Sequence, residues 1–253
     1  MTTNATFAAE SLKQYYSEHD GPYSSATGDY LVFLPVRNFT NKTASIYQEA
    51  LEQDPTAYLE TDTPASVVAG YVAQHKLLVD GVNAEDQAVA EFIWDEGSIV
   101  LGLEHPFSRG SVRLASADPF DAPLADSAFL RNPLDVTLLI EAVKFTREIV
   151  GTSAFKPFNP VDVDPPSNVT TDADIEDFIR ESVDTFFHPV GTCKAGPFDE
   201  GGVVDNEFRV YGIDGLRVVD ASVFPILPST HTQASVYAVA EMVGHLPRCS
   251  LRS

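Results

Sequence analysis

The sequence predicts an α+β fold: an antiparallel sheet flanked by helices over residues 1–184, followed by a strand-loop-helix segment over residues 185–253. Three observations carry this expectation. Apolar residues recur at helical spacing through much of the first 80 positions, the texture turns to β-branched runs between Glu91 and Ser116, and two well-capped helical stretches follow. With 253 residues the chain can bury one large core or two modest ones.

The elements follow in order. Ala8, Leu12, Tyr15 and Tyr16 mark a helix over residues 5–18, which GPYSS ends at Gly21 and Pro22. DYLVFLPV, Asp29 to Val36, is apolar enough for a strand covered on both faces. Helices are expected over about 42–53 and 64–78, the second with Thr63 as cap and Pro64 in its first turn. Glu91–Ser116 reads as two or three antiparallel strands, separated at Glu96-Gly97 and at Ser108-Arg109-Gly110. In NPLDVTLLIEAVKFTREIVG, Asn132 is a natural cap, Pro133 the first helical residue, Asp135 lies in the positive first turn, and Gly151 closes the helix. A linker-like KPFNPVDVDPPSN precedes a further helix from about Asp172 to Phe186.

Composition narrows the function. The 37 acidic and 16 basic residues give a net charge of −21, a field that repels phosphate backbones and anionic lipid, so neither nucleic acid nor membrane is an expected partner. The apolar run around Phe92 to Leu103 is broken by Asp95 and Glu96 before it reaches a membrane-spanning length. Cys193 and Cys249 have neither metal-ligand spacing nor a disulfide framework and read as buried or idle thiols. Sequons at Asn4, Asn38, Asn41 and Asn168, with the acidic balance, suit a secreted protein. MTTNATFAAESLKQYY nevertheless shows no secretory leader, and localisation stays open.

Two histidines stand out. In FFHPVGTCKAG, Pro189 forces His188 out of helical geometry and Gly191 frees the backbone beyond it, so the imidazole is presented rather than buried. His231 lies between the strand LRVVD, ending on Asp220, and a helix that starts near Thr232, whose amino terminus carries unpaired N–H groups and positive potential. A single histidine is more often structural than catalytic, and His19, His75, His105 and His245 receive no role.

HPVGTCKAG, GGVVDNEFRVYGIDGLRVVDASVFPILPSTHTQASVYAVAEMVG and HPFSRGSVRLASADPFDAPLADSAFL together resemble the carboxyl-terminal half of the glucose-methanol-choline (GMC) family of FAD-dependent oxidoreductases. The nearest branch is that of fungal aryl-alcohol oxidases and dehydrogenases, because His231 stands where other branches carry asparagine. The resemblance implies an alcohol oxidase or dehydrogenase acting on an aromatic or other small apolar alcohol. It makes residues 1–184 the substrate-binding domain and 185–253 part of the FAD-binding domain. It also implies that His188 takes the hydroxyl proton while His231 hydrogen-bonds the same oxygen. Asp220 and Ala221 would lie beside the flavin's ribityl and pyrophosphate, and Thr232, Gln233 and Ala234 under its pyrimidine ring.

The family's glycine-rich nucleotide-binding turn has no counterpart here, since no two glycines stand at i and i+2. Three explanations stay open at this level: a fragment, a chain completed by a second polypeptide, or a homologue that has lost flavin. The last would use the same histidines, with aromatic walls from Phe92, Trp94, Phe187 and Phe224, for non-redox isomerisation, dehydration or cyclisation. A non-catalytic remnant is the blandest alternative. In each case the carboxyl-terminal segment should present an exposed edge or apolar face, which a second chain or self-association could cover.

Overall fold

The computed structural model describes residues 4–24, 30–95 and 97–246. Asp29, Glu96 and Cys249, used in the readings above, lie outside them. Cys193 is a half-buried free thiol.

A three-stranded antiparallel sheet forms the centre, in the order β1 (Tyr30–Leu34), β2 (Ala90–Asp95), β3 (Ser98–Leu103). Its register sets Phe33 opposite Glu91, and Glu91 opposite Gly102. Because side chains alternate across a strand, this register divides the sheet into two chemically different faces. The face bearing Val32 and Phe92 packs on α2 (Thr43–Glu52), α3 (Ala65–Asn83) and α4 (Pro133–Val150). Phe92 is fully buried there, edge-on to Phe39 at 5.9 Å and Phe145 at 5.4 Å between ring centroids. Leu78, Val82, Leu134 and Leu138 fill the space around them. Glu91 and Gly102 belong to the other face, and Glu104 continues it one step beyond β3, its amide donating to the Val89 carbonyl at 2.8 Å.

Local chemistry explains the helix ends. Asn4 caps α1 (Ala5–Glu18), its side chain accepting from the Phe7 amide at 3.1 Å. Asn132 caps α4 through the Leu134 amide, with Pro133 first and Gly151 closing, as the sequence predicts. Asp135 does more than favour the helix dipole. It is buried and accepts from the amides of Phe107, at 2.6 Å, and Ser108, at 2.9 Å, pinning the 104–110 loop to the helix. Thr171 and Asp174 form a reciprocal capping box on α5 (Asp172–Ser182), whose Ile175 and Ile179 meet Val136, Ile140 and Val143 of α4 in a second core.

The structure departs from the expectations at several points. Pro64, not Thr63, is the cap of α3, without a side-chain hydrogen bond. This helix runs on to Asn83 because Leu78, Val79 and Val82 all reach the core. Val36 falls in a 3₁₀ turn rather than in β1. The third strand of the Glu91–Ser116 region, β4 (Ser111–Arg113), leaves the sheet and pairs with β5 (Leu124–Asp126), held by Arg113 ion pairs to Glu60 and Asp62. α5 ends at Ser182, four residues early. LRVVD forms no strand: Arg217 makes one isolated bridge to Arg209, and the segment has too few neighbouring strands here to build a ladder.

α6 (Thr232–Gly244) is apolar along TQASVYAVAEMVG, yet none of its residues is buried, and Tyr237 is 66% exposed. The exposed apolar face expected of the carboxyl-terminal segment is thus present.

Candidate active site

The structure brings the two singled-out histidines together from segments 43 positions apart. The ring centroids of His188 and His231 are 5.2 Å apart, with the planes tilted by 46°. Both rings are half-buried.

Each is held from behind by backbone. The 188–196 segment lies along the turn at Ala221–Val223, with the Cys193 amide donating to the Ser222 carbonyl at 3.0 Å and the Ala195 amide to that of Val223 at 2.8 Å. Gly191 allows this at φ +86°, where an added Cβ would also stand 3.3 Å from the Phe224 carbonyl oxygen. The loop before α6 is anchored by Gln74, donating to the Pro225 carbonyl at 2.9 Å, and by Ser229, donating to that of Ala88, also at 2.9 Å. His231 is then the residue immediately before the helix.

The second face of the sheet supplies the floor. Phe33 meets the His231 ring edge-on at 6.2 Å, and Phe186 meets His188 at 6.2 Å. Phe186 also covers Gly102, where an added Cβ would stand 2.9 Å from the ring. These are the aromatic walls of the site. Of the residues expected to line it, Phe92 is in the core on the opposite face, Trp94 packs against that core, Phe187 is 83% exposed at φ +60°, and Phe224 is half-buried. In EFIWD the alternation that carries Phe92 and Trp94 into the core aims Glu91 at the histidines.

Glu91 is the residue that the sequence reading missed. Its side chain is fully buried, and its Oε1 lies 2.8 Å from His231 Nε2, outside hydrogen-bond geometry. The available signal was a carboxylate at the head of the apolar run EFIW, which the sequence reading used only to mark the start of the strand region. His188 is held below the ordinary imidazole range, first by burial and then by repulsion from His231, against an opposing pull from Glu91. It is therefore neutral, and able to accept a proton, at pH values where an ordinary imidazole is partly charged.

The five residues assigned to flavin lie at the two ends of this loop. Asp220 is exposed, with its carboxylate accepting from the Ser222 amide and hydroxyl, and Ala221 is half-buried. Thr232 begins α6 and is half-buried, while Gln233 and Ala234 are exposed. Among the described residues no side chain caps the start of α6, which leaves its first N–H groups without a side-chain partner beside the histidine pair. An uncapped helix start next to two imidazoles, along a helix with no buried residue, fits an electron-rich ring edge laid across it.

A model of the GMC oxidoreductase family matches residues 106–240, just over half of the chain. The chain belongs to the GMC oxidoreductase family. Patulin synthase of Aspergillus clavatus is 37% identical over 244 residues, which make up 95% of this chain and 37% of that protein. The solved FAD-dependent oxidoreductase from Chaetomium thermophilum superposes with a TM-score of 0.90 at 30% identity, over 96% of this chain and 42% of that one. A fungal aryl-alcohol oxidase gives 0.80 at 32% identity, over 95% and 42%. The chain thus spans well under half the length of the GMC relatives it matches.

Proposed function

We propose that this chain is the carboxyl-terminal part of an FAD-dependent GMC alcohol oxidase or dehydrogenase, with residues 1–184 contributing the substrate-binding domain and residues 185–253 part of the FAD-binding domain. The observation that carries the reading is the convergence of His188 and His231 at 5.2 Å beside the uncapped start of α6. His188, neutral, accepts the hydroxyl proton of the alcohol on a ring nitrogen, and His231 donates a hydrogen bond to the same oxygen. Bound flavin supplies the acceptor for the hydride that leaves the carbinol carbon. Asp220, Ala221, Thr232, Gln233 and Ala234 would hold it, with the α6 N–H groups facing its electron-rich edge. Phe33 and Phe186 give the substrate an aromatic seat, which favours a small apolar or aromatic alcohol and agrees with the name of the aryl-alcohol oxidase relative.

The test is turnover of a panel of small alcohols by the chain supplied with FAD. Expected is a flavin absorbance that stays with the protein on gel filtration, and a loss of kcat/KM of about 10²- to 10⁴-fold in His188→Ala. The acid limb of the kcat/KM profile should fall below the ordinary histidine value of about 6.5, because the shift on His188 is downward. The two rings are coupled, so the limb belongs to the pair.

One observation favours the flavin-free alternative: both histidines, Glu91 and both aromatic walls come from this chain alone. Colourless protein that still isomerises, dehydrates or cyclises a substrate, and stops doing so in His188→Ala, would establish it. Retained turnover in the double variant His188→Ala/His231→Ala would sink both readings.

A further inference from the structure

Beneath the histidine pair lies a second buried carboxyl. Glu104 is on the same face of the β2–β3 hairpin as Glu91, one alternation beyond Gly102. Both side chains are out of water, at 0% and 2% exposure, and Phe186 lies over the glycine between them. Among the described residues neither carboxyl forms an ion pair with lysine or arginine. Among the described residues, both oxygens of Glu91 and Oε2 of Glu104 lack a hydrogen-bond donor. The titratable groups packed around the pair are His231 from the start of α6, His188 from the 188–196 segment, and His105 from the loop after β3. The last is engaged elsewhere, with Gln87 and Ser229.

Two ionised carboxylates cannot share such a site, because burial and mutual repulsion both oppose the second charge. A single proton between them removes one charge and supplies a donor that the orphan oxygens lack. We propose that Glu91 and Glu104 share one proton, and that Glu104 retains it, leaving Glu91 as the charged partner of His231. Burial first, and the adjoining Glu91 second, push Glu104 up to about 8, in keeping with a neutral acid near neutral pH. Glu104 is thus a positioning residue: it acts through Glu91, fixing the charge that faces the Nε2 end of His231. That leaves the solvent-open remainder of the ring for the substrate oxygen.

The consequence for catalysis rests on the reading of His188 and His231 given above. The proton inventory does not, and it is measured on the chain without turnover. Carboxyl infrared difference spectra and NMR titration of ring-labelled histidines would be recorded for wild type, Glu104→Gln and Glu104→Met. His231 is assigned by its loss in His231→Gln, and the His75 signal, from a ring packed edge-on against Tyr71 and Phe107, serves as the marker of an intact fold. Wild type should show a buried neutral carboxylic acid near neutral pH. Glu104→Gln, which keeps a donor to Glu91, should lose that band and leave the ring signals of His231 in place. Glu104→Met removes the donor without opening a large cavity. Glu91 should then take the proton itself, and the ring signals of His231, without the counter-charge facing Nε2, should move away from their wild-type positions at neutral pH. The proposal is overturned if wild type lacks the neutral-acid band, if Glu104→Gln retains it, or if the two variants move His231 equally. Should the histidines prove catalytically idle while these spectra follow expectation, the functional reading fails and the shared proton stands.

Discussion

Three buried titratable residues should oppose one another in the pH dependence of stability. His75 and His105 are both held below the ordinary imidazole range, with burial the first cause. The unfolded chain therefore binds protons that the folded chain refuses, so their stabilising effect is complete above about 6.5 and is lost as pH falls. Glu104 acts in the other direction: raised to about 8 from 4.5, it is neutral when folded and ionised when unfolded across that window, so stability is lost as pH rises through it. Thermal unfolding of wild type should accordingly fall between pH 6.5 and 8 more steeply than that of Glu104→Gln, where this source of pH dependence is gone. Equal slopes would count against the assignment. Nearby, Gly102→Ala should push Phe186 off the sheet and disturb His188, lowering kcat/KM by up to about 10²-fold with a smaller effect on melting, since one misplaced wall suffices. His188 and His231 were legible because proline, glycine and a helix start frame them locally. Glu91 and Glu104 were not, because whether a strand carboxylate meets water or a histidine depends on chain segments about 80 to 140 residues away.

At the level of elements, what the sequence stated correctly was local. Caps at Asn132 and Gly151 are short-range chemistry and fell where the residues put them. The departure of β4 from the central sheet, and the failure of LRVVD to form a strand, depend on which partners are present, something no residue within those segments encodes. The same distinction sets the energetic weight of two acidic residues at helix starts. Asp174→Ala removes half of an exposed capping box and should cost about 1 kcal/mol. Asp135→Ala strands two amides, the buried one of Phe107 and the half-buried one of Ser108, and at roughly 1–3 kcal/mol for each unpaired group it should cost several times more. Denaturant unfolding of the two variants compares them directly. Similar losses would show that the 104–110 loop is not held by Asp135.

Across the whole molecule, stability should be graded from the central sheet to the carboxyl-terminal helix. α4 buries eight residues, six of them in the two main cores, whereas α6 buries none and leans on Val204, Phe208 and Val223 through the half-buried Val239 and Val243. Local opening costs little where little apolar surface is sealed, so α6 amides should exchange with deuterium through openings of at most a few kcal/mol, while α4 amides approach the global value. The strong acidic charge adds to this contrast by favouring expansion, an effect that added salt should reduce. Cover changes the expectation in a measurable way. If flavin or a second polypeptide occupies the α6 face, adding it should slow exchange in α6 and in the His231 loop while leaving α4 unchanged, because only the covered surface gains protection. If α6 of the chain alone already matches α4, then something covers it in solution. Protection that rises with protein concentration would identify that cover as a second copy, and protection independent of concentration would show that the helix packs within the chain more tightly than this structure allows.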